Sequence, residues 1–292
     1  MLWLPTMLMR PVQLAVAPLP VVKARTRSVC ADISRGRGNL CIIDVSNLLY
    51  RMHFAMPPMT APGGEPVHAV LGFCNKLIQL REVFPDHHFI NAFDGGRCDF
   101  RTEMLGSYKA TRKAMPADLR VQFKMAREAS VAFGVPALEQ AGFEADDVIA
   151  TCVAAARAQG LASVSIVTSD KDLMQLASAP ADRMNVTVFD DKKKRLMDHE
   201  AIFKTHGVRP DQFVDYLSLT GDTSDCVPGV PGVGPKTAAS LLATHGTLDG
   251  VLESAATTMR KSKKREALLE YGEQARLARR LVTLHDTVPL AG

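Results

Sequence analysis

Gly142-Phe143-Glu144-Ala145-Asp146-Asp147 sets three carboxylates within four residues at the head of an apolar run, Val148 to Ala156, that reads as a helix. Carboxylates this close repel one another unless a cation sits among them. The cluster is therefore costly as plain surface and sensible as a hard-metal site. On a helix Glu144 and Asp147 lie three apart and share a face, with Asp146 beside them. Acidic residues also favour a helix N-terminus through the macrodipole, so the cluster alone leaves both readings open.

Elsewhere in the chain, three apolar runs each end in an aspartate: Leu40 to Ile43 before Asp44, Phe89 to Phe93 before Asp94, and Val164 to Ser169 before Asp170. Each has the length of a buried strand, and Val67 to Val83 carries helical apolar spacing between the first two. Alternating strands and helices imply an α/β fold with a mostly parallel sheet, whose ligands bind outside the carboxyl ends of the strands. Asp44, Asp94 and Asp170 are expected on one edge, with Asp172 close behind in Ser169-Asp170-Lys171-Asp172-Leu173. One strand-end aspartate is often only an N-cap. Three of them, with Glu144, Asp146 and Asp147, point to a shared metal site. So many oxygen ligands, without Cys or His at zinc spacing, favour Mg²⁺ or Mn²⁺. The chemistry that asks for this is phosphodiester hydrolysis by two ions roughly 3.5 to 4 Å apart. The eight histidines are scattered, and His87-His88 enters a strand, so a histidine mechanism has little support.

The chain of 292 residues, 47% hydrophobic, can build a sizeable core. No run approaches the roughly 18 apolar residues of a membrane span, and no membrane partner is expected. Cys30, Cys41, Cys74, Cys98, Cys152 and Cys226 form no CxxC pair and read as reduced thiols of a reducing compartment. The net charge of +4 is uneven: residues 1–38 hold Arg10, Lys23, Arg25, Arg27, Arg35 and Arg37 against Asp32, a local +5 that leaves the rest at −1. Global basicity thus says nothing about nucleic acid. This leader, with no acidic residue before Asp32, fits an organellar transit peptide for mitochondrion or plastid. Its alternative is a flexible extension or misplaced start codon on a cytoplasmic or nucleoid protein. The expected organisation is leader 1–38, sheet domain 39–205 and helical domain 206–292.

Local charge is more informative. Between Asp94 and Glu144, the stretch from Cys98 to Lys113 has few large apolar residues after Leu105 and reads as a segment projecting above the metal site. Arg101, Lys109, Arg112 and Lys113 are expected to hold phosphates, with Tyr108 stacking on a base or packing locally. Lys192-Lys193-Lys194-Arg195 reads as a solvated turn between two short strands, and the basic residues of 260–265 and Arg276, Arg279 and Arg280 read equally as duplex contacts or solvated faces.

After about residue 205 the pattern becomes helical. A short amphipathic helix over 210–219 leads into Thr220-Gly221-Asp222-Thr223-Ser224-Asp225, then Pro231-Gly232-Val233-Gly234-Pro235-Lys236-Thr237 and an apolar helix from Ala239 to Ala243. Glycines feeding a helix N-terminus offer backbone N–H groups to a phosphate. Pro235 between Gly234 and Lys236 excludes a P-loop, and the absence of a preceding strand excludes a Rossmann fingerprint. A helix-hairpin-helix remains, gripping a DNA backbone through Gly232, Gly234, Lys236 and Thr237 without reading sequence.

Ile43-Asp44, Ala92-Phe93-Asp94, Tyr108-Lys109, the Gly142–Asp147 run, Ser169–Leu173, Thr220–Asp225 and the Pro-Gly-Val-Gly hairpin form a specific set. On these residues the chain from about 39 onward resembles the 5′-nuclease domain of bacterial DNA polymerase I and its stand-alone relatives in the flap endonuclease superfamily. The resemblance implies a PIN-like sheet with flanking helices, a helical arch over the active site, and a C-terminal helix-hairpin-helix that often holds K⁺. It implies one metal near Asp44, Asp94, Glu144, Asp146 and Asp170, and a second drawing on Asp172, Asp222 and Asp225. Lys109 and Arg112 match the basic residues that steer the scissile phosphate. The activity implied is that of a monomeric, metal-dependent 5′-3′ exonuclease or flap endonuclease. Its substrates would be branched or flapped DNA and RNA–DNA primer junctions, in replication and repair. A catalytically weak protein holding branched DNA is the alternative; a PIN-type ribonuclease fits less well with Asp222, Asp225 and the hairpin. Two positions depart from the family pattern: Val45 stands where Gly is usual, and Cys226 where Asn is usual.

Overall fold

The computed structural model describes residues 38–290. The expected leader therefore lies outside the described residues, apart from Gly38. Strand β1 (Asn39–Asp44) sits in the middle of a six-stranded sheet, parallel to β2 (His87–Ala92) on one side and to β4 (Ser163–Val167) on the other. The order is β3-β2-β1-β4-β5-β6, with β3 (Ala137–Leu138) and β5 (Asn185–Asp190) parallel to their inner neighbours and β6 (Arg195–Met197) antiparallel at the edge. The strand order reverses direction at β1, which opens a crevice at the carboxyl ends of β1, β2 and β4.

Strand periodicity divides the interior in two. Leu40 and Ile42 point into one core and Cys41 and Ile43 into the other, all four fully or nearly fully buried. The second core is closed by α1 (Val45–Ala55), α2 (His68–Val83) and α4 (Ala117–Ala132), through residues such as Leu48, Phe73, Leu77 and Phe123. The first is closed by α5 (Ala145–Ala158) and extends without a break into the C-terminal helices. Truncating Ile42 or Ile43 to Ala is expected to cost about 2–5 kcal/mol, the range for fully buried aliphatics.

Between β2 and α4 lie a short helix, α3 (Asp99–Met104), and a run of turns over 105–116. The segment expected as an arch is thus two helices joined by an irregular crossing segment. Residues 191–194 form the expected turn between β5 and β6. The C-terminal helices are α6 (His199–His206), α7 (Phe213–Thr220), α8 (Pro235–His245), α9 (Leu248–Thr257), α10 (Lys263–Glu270) and α11 (Gly272–Val282). The expected helix at 210–219 starts as a 3₁₀ turn, Pro210–Gln212, before α7. The expected helix at 239–243 begins earlier, because Pro235 suits the first helical position, whose N–H has no partner within the helix. No helix among the described residues is long and apolar enough to cross a membrane.

Candidate metal centre

The three strand ends are laced together by their own polar groups. Asp44 caps α1 by accepting from Asn47 N–H at 3.0 Å, while its other oxygen accepts the Thr168 hydroxyl at 2.7 Å. Thr168 Oγ1 in turn accepts from Asp170 N–H at 3.0 Å, and Asp170 Oδ1 accepts from Asp172 N–H at 3.0 Å. Asp94 donates its N–H to Ser46 Oγ at 3.0 Å and accepts from Ala145 N–H at 2.8 Å, which fixes the start of α5 against the end of β2. These bonds tie all three strand-end carboxylates to the scaffold, Asp44 through both of its oxygens.

The electrostatics of this cluster are those of a cation site. Burial, with Asp94 and Asp170 adding to it, pushes the Asp44 carboxyl up from 3.8 to about 7. Burial raises Asp146 well above the usual carboxylate range, with Asp170 and Asp44 as its acidic neighbours. Burial likewise raises Asp172, next to Asp170 and Asp222, and Asp172 Oδ1 is buried with no hydrogen-bond partner. Crowded carboxylates and an orphaned oxygen are what a divalent cation relieves, so these residues fit a hard metal ion.

Asp222 and Asp225 arrive on a tight loop. Gly221 has φ +73, and a Cβ there would meet Gly229 N at 2.4 Å; a Cβ on Gly229 would meet the Thr220 carbonyl carbon at 2.4 Å. Two bare glycines thus let the ends of the loop touch, and Asp222 and Val227 exchange backbone bonds at 2.8 Å each. Against the upward push of burial, bonds from Ser224 and Lys171 hold the Asp222 carboxyl below its usual value. Asp225 accepts from Arg112 at 2.5 Å and pairs with Lys109 Nζ at 3.3 Å. Lys109 also pairs with Glu144, and the Tyr108 hydroxyl donates to Glu144 Oε2 at 2.9 Å. The crossing segment therefore hangs its basic side chains on the carboxylates. Its Tyr108 packs locally rather than standing clear as a stacking platform.

Two expected assignments need correction. Asp147 does not face the cluster: both oxygens are taken by Arg101, at 2.6 and 2.7 Å, and Oδ1 also accepts from His285 N–H at 2.9 Å. Arg101 cannot hold a phosphate, since it is 1% exposed and is spent on Asp147, Glu144 and the Leu281 and Thr283 carbonyls. Cys98, Glu144 and Asp147 gather as tightly as a metal site would require, but the cation they surround is this guanidinium. The acidic cluster thus divides by face, with Asp146 turned to the strand ends and Asp147 to the arginine.

Lys113 is exposed on the crossing segment. Gly232, Gly234 and Lys236 are exposed together at the loop feeding α8, with Thr237 half-buried behind them. Sequence reading passed over Arg120, Lys124 and Arg127, which share one face of α4. They line a cavity of about 720 Å³ together with Asp94, Lys109 and Glu144. Their spacing of four and three residues was the available signal. Lys171, 3.1 Å from Asp222, was also missed as a charge partner.

Comparison with known proteins agrees with this geometry. Residues 39–207 match the 5′-3′ exonuclease N-terminal resolvase-like domain, and residues 208–292 match the 5′-3′ exonuclease C-terminal SAM fold. The chain belongs to the 5′-3′ exonuclease family. Among relatives of this family, a 5′-3′ exonuclease of Aquifex aeolicus is 35% identical over 80% of the chain and 79% of its own length. A DNA polymerase I of Rhizobium leguminosarum is 42% identical over 90% of the chain, which spans 26% of that polymerase's length. The fold also matches the bacteriophage T5 flap endonuclease, solved as a pseudo-enzyme–product complex with DNA and metal ions. The TM-score is 0.67 at 22% identity, over 85% of this chain and 89% of that one. The 5′-3′ exonuclease family is one of nucleases, hydrolases acting on DNA.

Proposed function

We propose that this member of the 5′-3′ exonuclease family is a metal-dependent, structure-specific nuclease. It would remove 5′ flaps or RNA primers in replication and repair. The observation that carries the reading is the convergence of Asp44, Asp94, Asp146, Asp170 and Asp172 on one crevice at the strand ends, beneath a cleft walled by basic side chains. Asp44, Asp94, Glu144, Asp146 and Asp170 would hold one Mg²⁺ or Mn²⁺, and Asp172, Asp222 and Asp225 a second. When bound, such ions supply an activated water and stabilise the departing oxygen.

The chain's own residues bind and orient. Lys109 and Arg112, tethered to Glu144 and Asp225, lie where an incoming phosphate would exchange for those carboxylates. Arg120 and Lys124 extend positive charge along α4 for the strand beyond the cleavage point. The exposed loop at Gly232 and Gly234, preceding α8, offers N–H groups to a duplex phosphate and is a candidate K⁺ site through its carbonyls. Supported by the change from sheet to helices near residue 206, the division 39–205 and 206–292 separates cleavage from duplex grip. A monomer in mitochondrion or plastid, directed by residues 1–38, is the address proposed on the composition of the leader.

The test is cleavage of an end-labelled 5′-flap duplex by the full chain with Mg²⁺, with Mn²⁺ and with chelator, beside Asp170→Ala. Metal-dependent cutting at the flap junction, lost in the variant, is expected. Tight binding without cutting in either metal would replace the nuclease reading with that of a branched-DNA-holding protein.

A further inference from the structure

Away from the strand ends, three helices bring a different set of ligand atoms to one point. His53 lies in the last turn of α1, His68 is the first residue of α2, and Asp118 lies in the first turn of α4. His68 Nε2 is 2.9 Å from His53 Nδ1, the rings being 4.9 Å apart at 35°. Asp118 Oδ2 is 3.8 Å from His53 Nδ1. One nitrogen of each ring and one carboxylate oxygen fall within 4.8 Å of one another.

Hydrogen bonding within the protein satisfies this arrangement only in part. His68 is 2% exposed, and its Nδ1 is buried without a partner. The bond between the rings uses one proton. Whichever ring donates it, His68 Nδ1 is left as an unmet donor or an unmet acceptor. An ion bound at Nε2 would fix the proton on Nδ1 and leave that N–H unmet at a cost of about 1–3 kcal/mol; what favours an ion is the pair of facing nitrogens, Nε2 of His68 and Nδ1 of His53.

Two imidazoles and a carboxylate suit borderline ions of the zinc type, where the strand-end site, all oxygen, suits Mg²⁺. Bonds of about 2.0–2.2 Å in a tetrahedral site place ligand atoms roughly 3.3 Å apart. The 2.9 and 3.8 Å separations bracket that value. Drawing the three atoms, which lie within 4.8 Å of one another, to that spacing would close the site and leave a fourth position for water.

We propose that His53, His68 and Asp118 form a metal site distinct from the carboxylate centre, taking one first-row transition ion with zinc as the best fit. The ion would clip the start of α4 to α1 and α2. It would thereby anchor one foot of the crossing segment that carries Lys109 and Arg112, and would sit one helical turn from Tyr50, which lines the cleft.

The test uses full-length protein stripped with chelator and titrated with Co²⁺ as the probe, then with Zn²⁺ against a chromophoric zinc chelator. Asp170→Ala weakens the carboxylate centre; His53→Gln and Asp118→Asn change partly exposed ligands, with circular dichroism reporting their fold. A tetrahedral cobalt spectrum in the wild type and in Asp170→Ala, displaced by one equivalent of zinc, is expected. Zinc affinity should fall at least about 10- to 100-fold in His53→Gln and in Asp118→Asn, the loss seen even for groups supporting a ligand. Absence of the tetrahedral spectrum, or a spectrum and affinity unchanged in both ligand variants, would overturn the site and leave the pair as a hydrogen-bonded contact.

Discussion

Asp146 and Asp147 are adjacent in sequence and opposite in role, and substituting each should show it. Asp147→Asn removes the charge that answers a buried guanidinium, and Arg101→Ala does the reverse. Breaking a buried pair from one side costs about 3–5 kcal/mol, so both should lower the unfolding free energy read from urea curves by that amount, with activity falling as the fold is lost. Asp146→Asn instead removes one of several crowded like charges. Its cleavage rate should collapse while its melting temperature in chelator holds or rises; a melting temperature that falls as far as that of Asp147→Asn would refute the division. Cys226 offers a smaller test. It has φ +57, in the left-handed region where Asn is tolerated far better than Cys, which gives a physical reason for the Asn usual there. Cys226→Asn should stabilise the chain by as much as about 1 kcal/mol, read from the same urea curves.

At the scale of elements, the loop bearing Asp222 and Asp225 depends on two glycines with no room for a methyl group. Gly221→Ala would drive a Cβ into Gly229 N and displace both carboxylates. Misplacement by about an ångström can cost on the order of 100-fold in rate, so single-turnover cleavage should drop on that scale with flap binding retained. The basic face of α4 makes a different prediction. If Arg120 meets a phosphate, Arg120→Ala should weaken flap binding similarly for every sequence. It should also reduce the slope of log affinity against log salt by about one. An unchanged slope would mean that the cleft wall is not a DNA track.

For the molecule as a whole, the strand-end charges should set its response to pH. Asp44 titrates near 7 in the folded chain against 3.8 as an ordinary carboxyl, so the folded state binds more protons than the unfolded state between about pH 4 and pH 7. Stability of the metal-free protein should therefore fall as pH rises through that window and level off above it. The melting temperature in chelator should be lower at pH 8 than at pH 5, and Mg²⁺ should raise it more at pH 8. The opposite trend would show that Asp44 is not buried among acidic neighbours.

The sheet and the strand-end aspartates were legible because parallel topology converts a linear pattern, apolar run then Asp, into a position in space. Arg101 and Asp147 were not, because nothing in a basic run or an acidic run reveals that one member of each is buried against the other, 46 positions apart. His53, His68 and Asp118 escaped for the same reason, since their meeting depends on how α1, α2 and α4 pack and not on any local spacing.

Arg101 donates to the Leu281 and Thr283 carbonyls, and Asp147 accepts from His285. On the ribosome, the last of the clustered carboxylates, Asp225, emerges well before those residues are made. A nascent chain thus holds every acidic side chain of the site while the guanidinium that orients Glu144 is still only partly held. Synthesis of residues 281–285 closes that grip, so the acidic site is set in place only after the segment that follows its last carboxylate by more than fifty residues has been made.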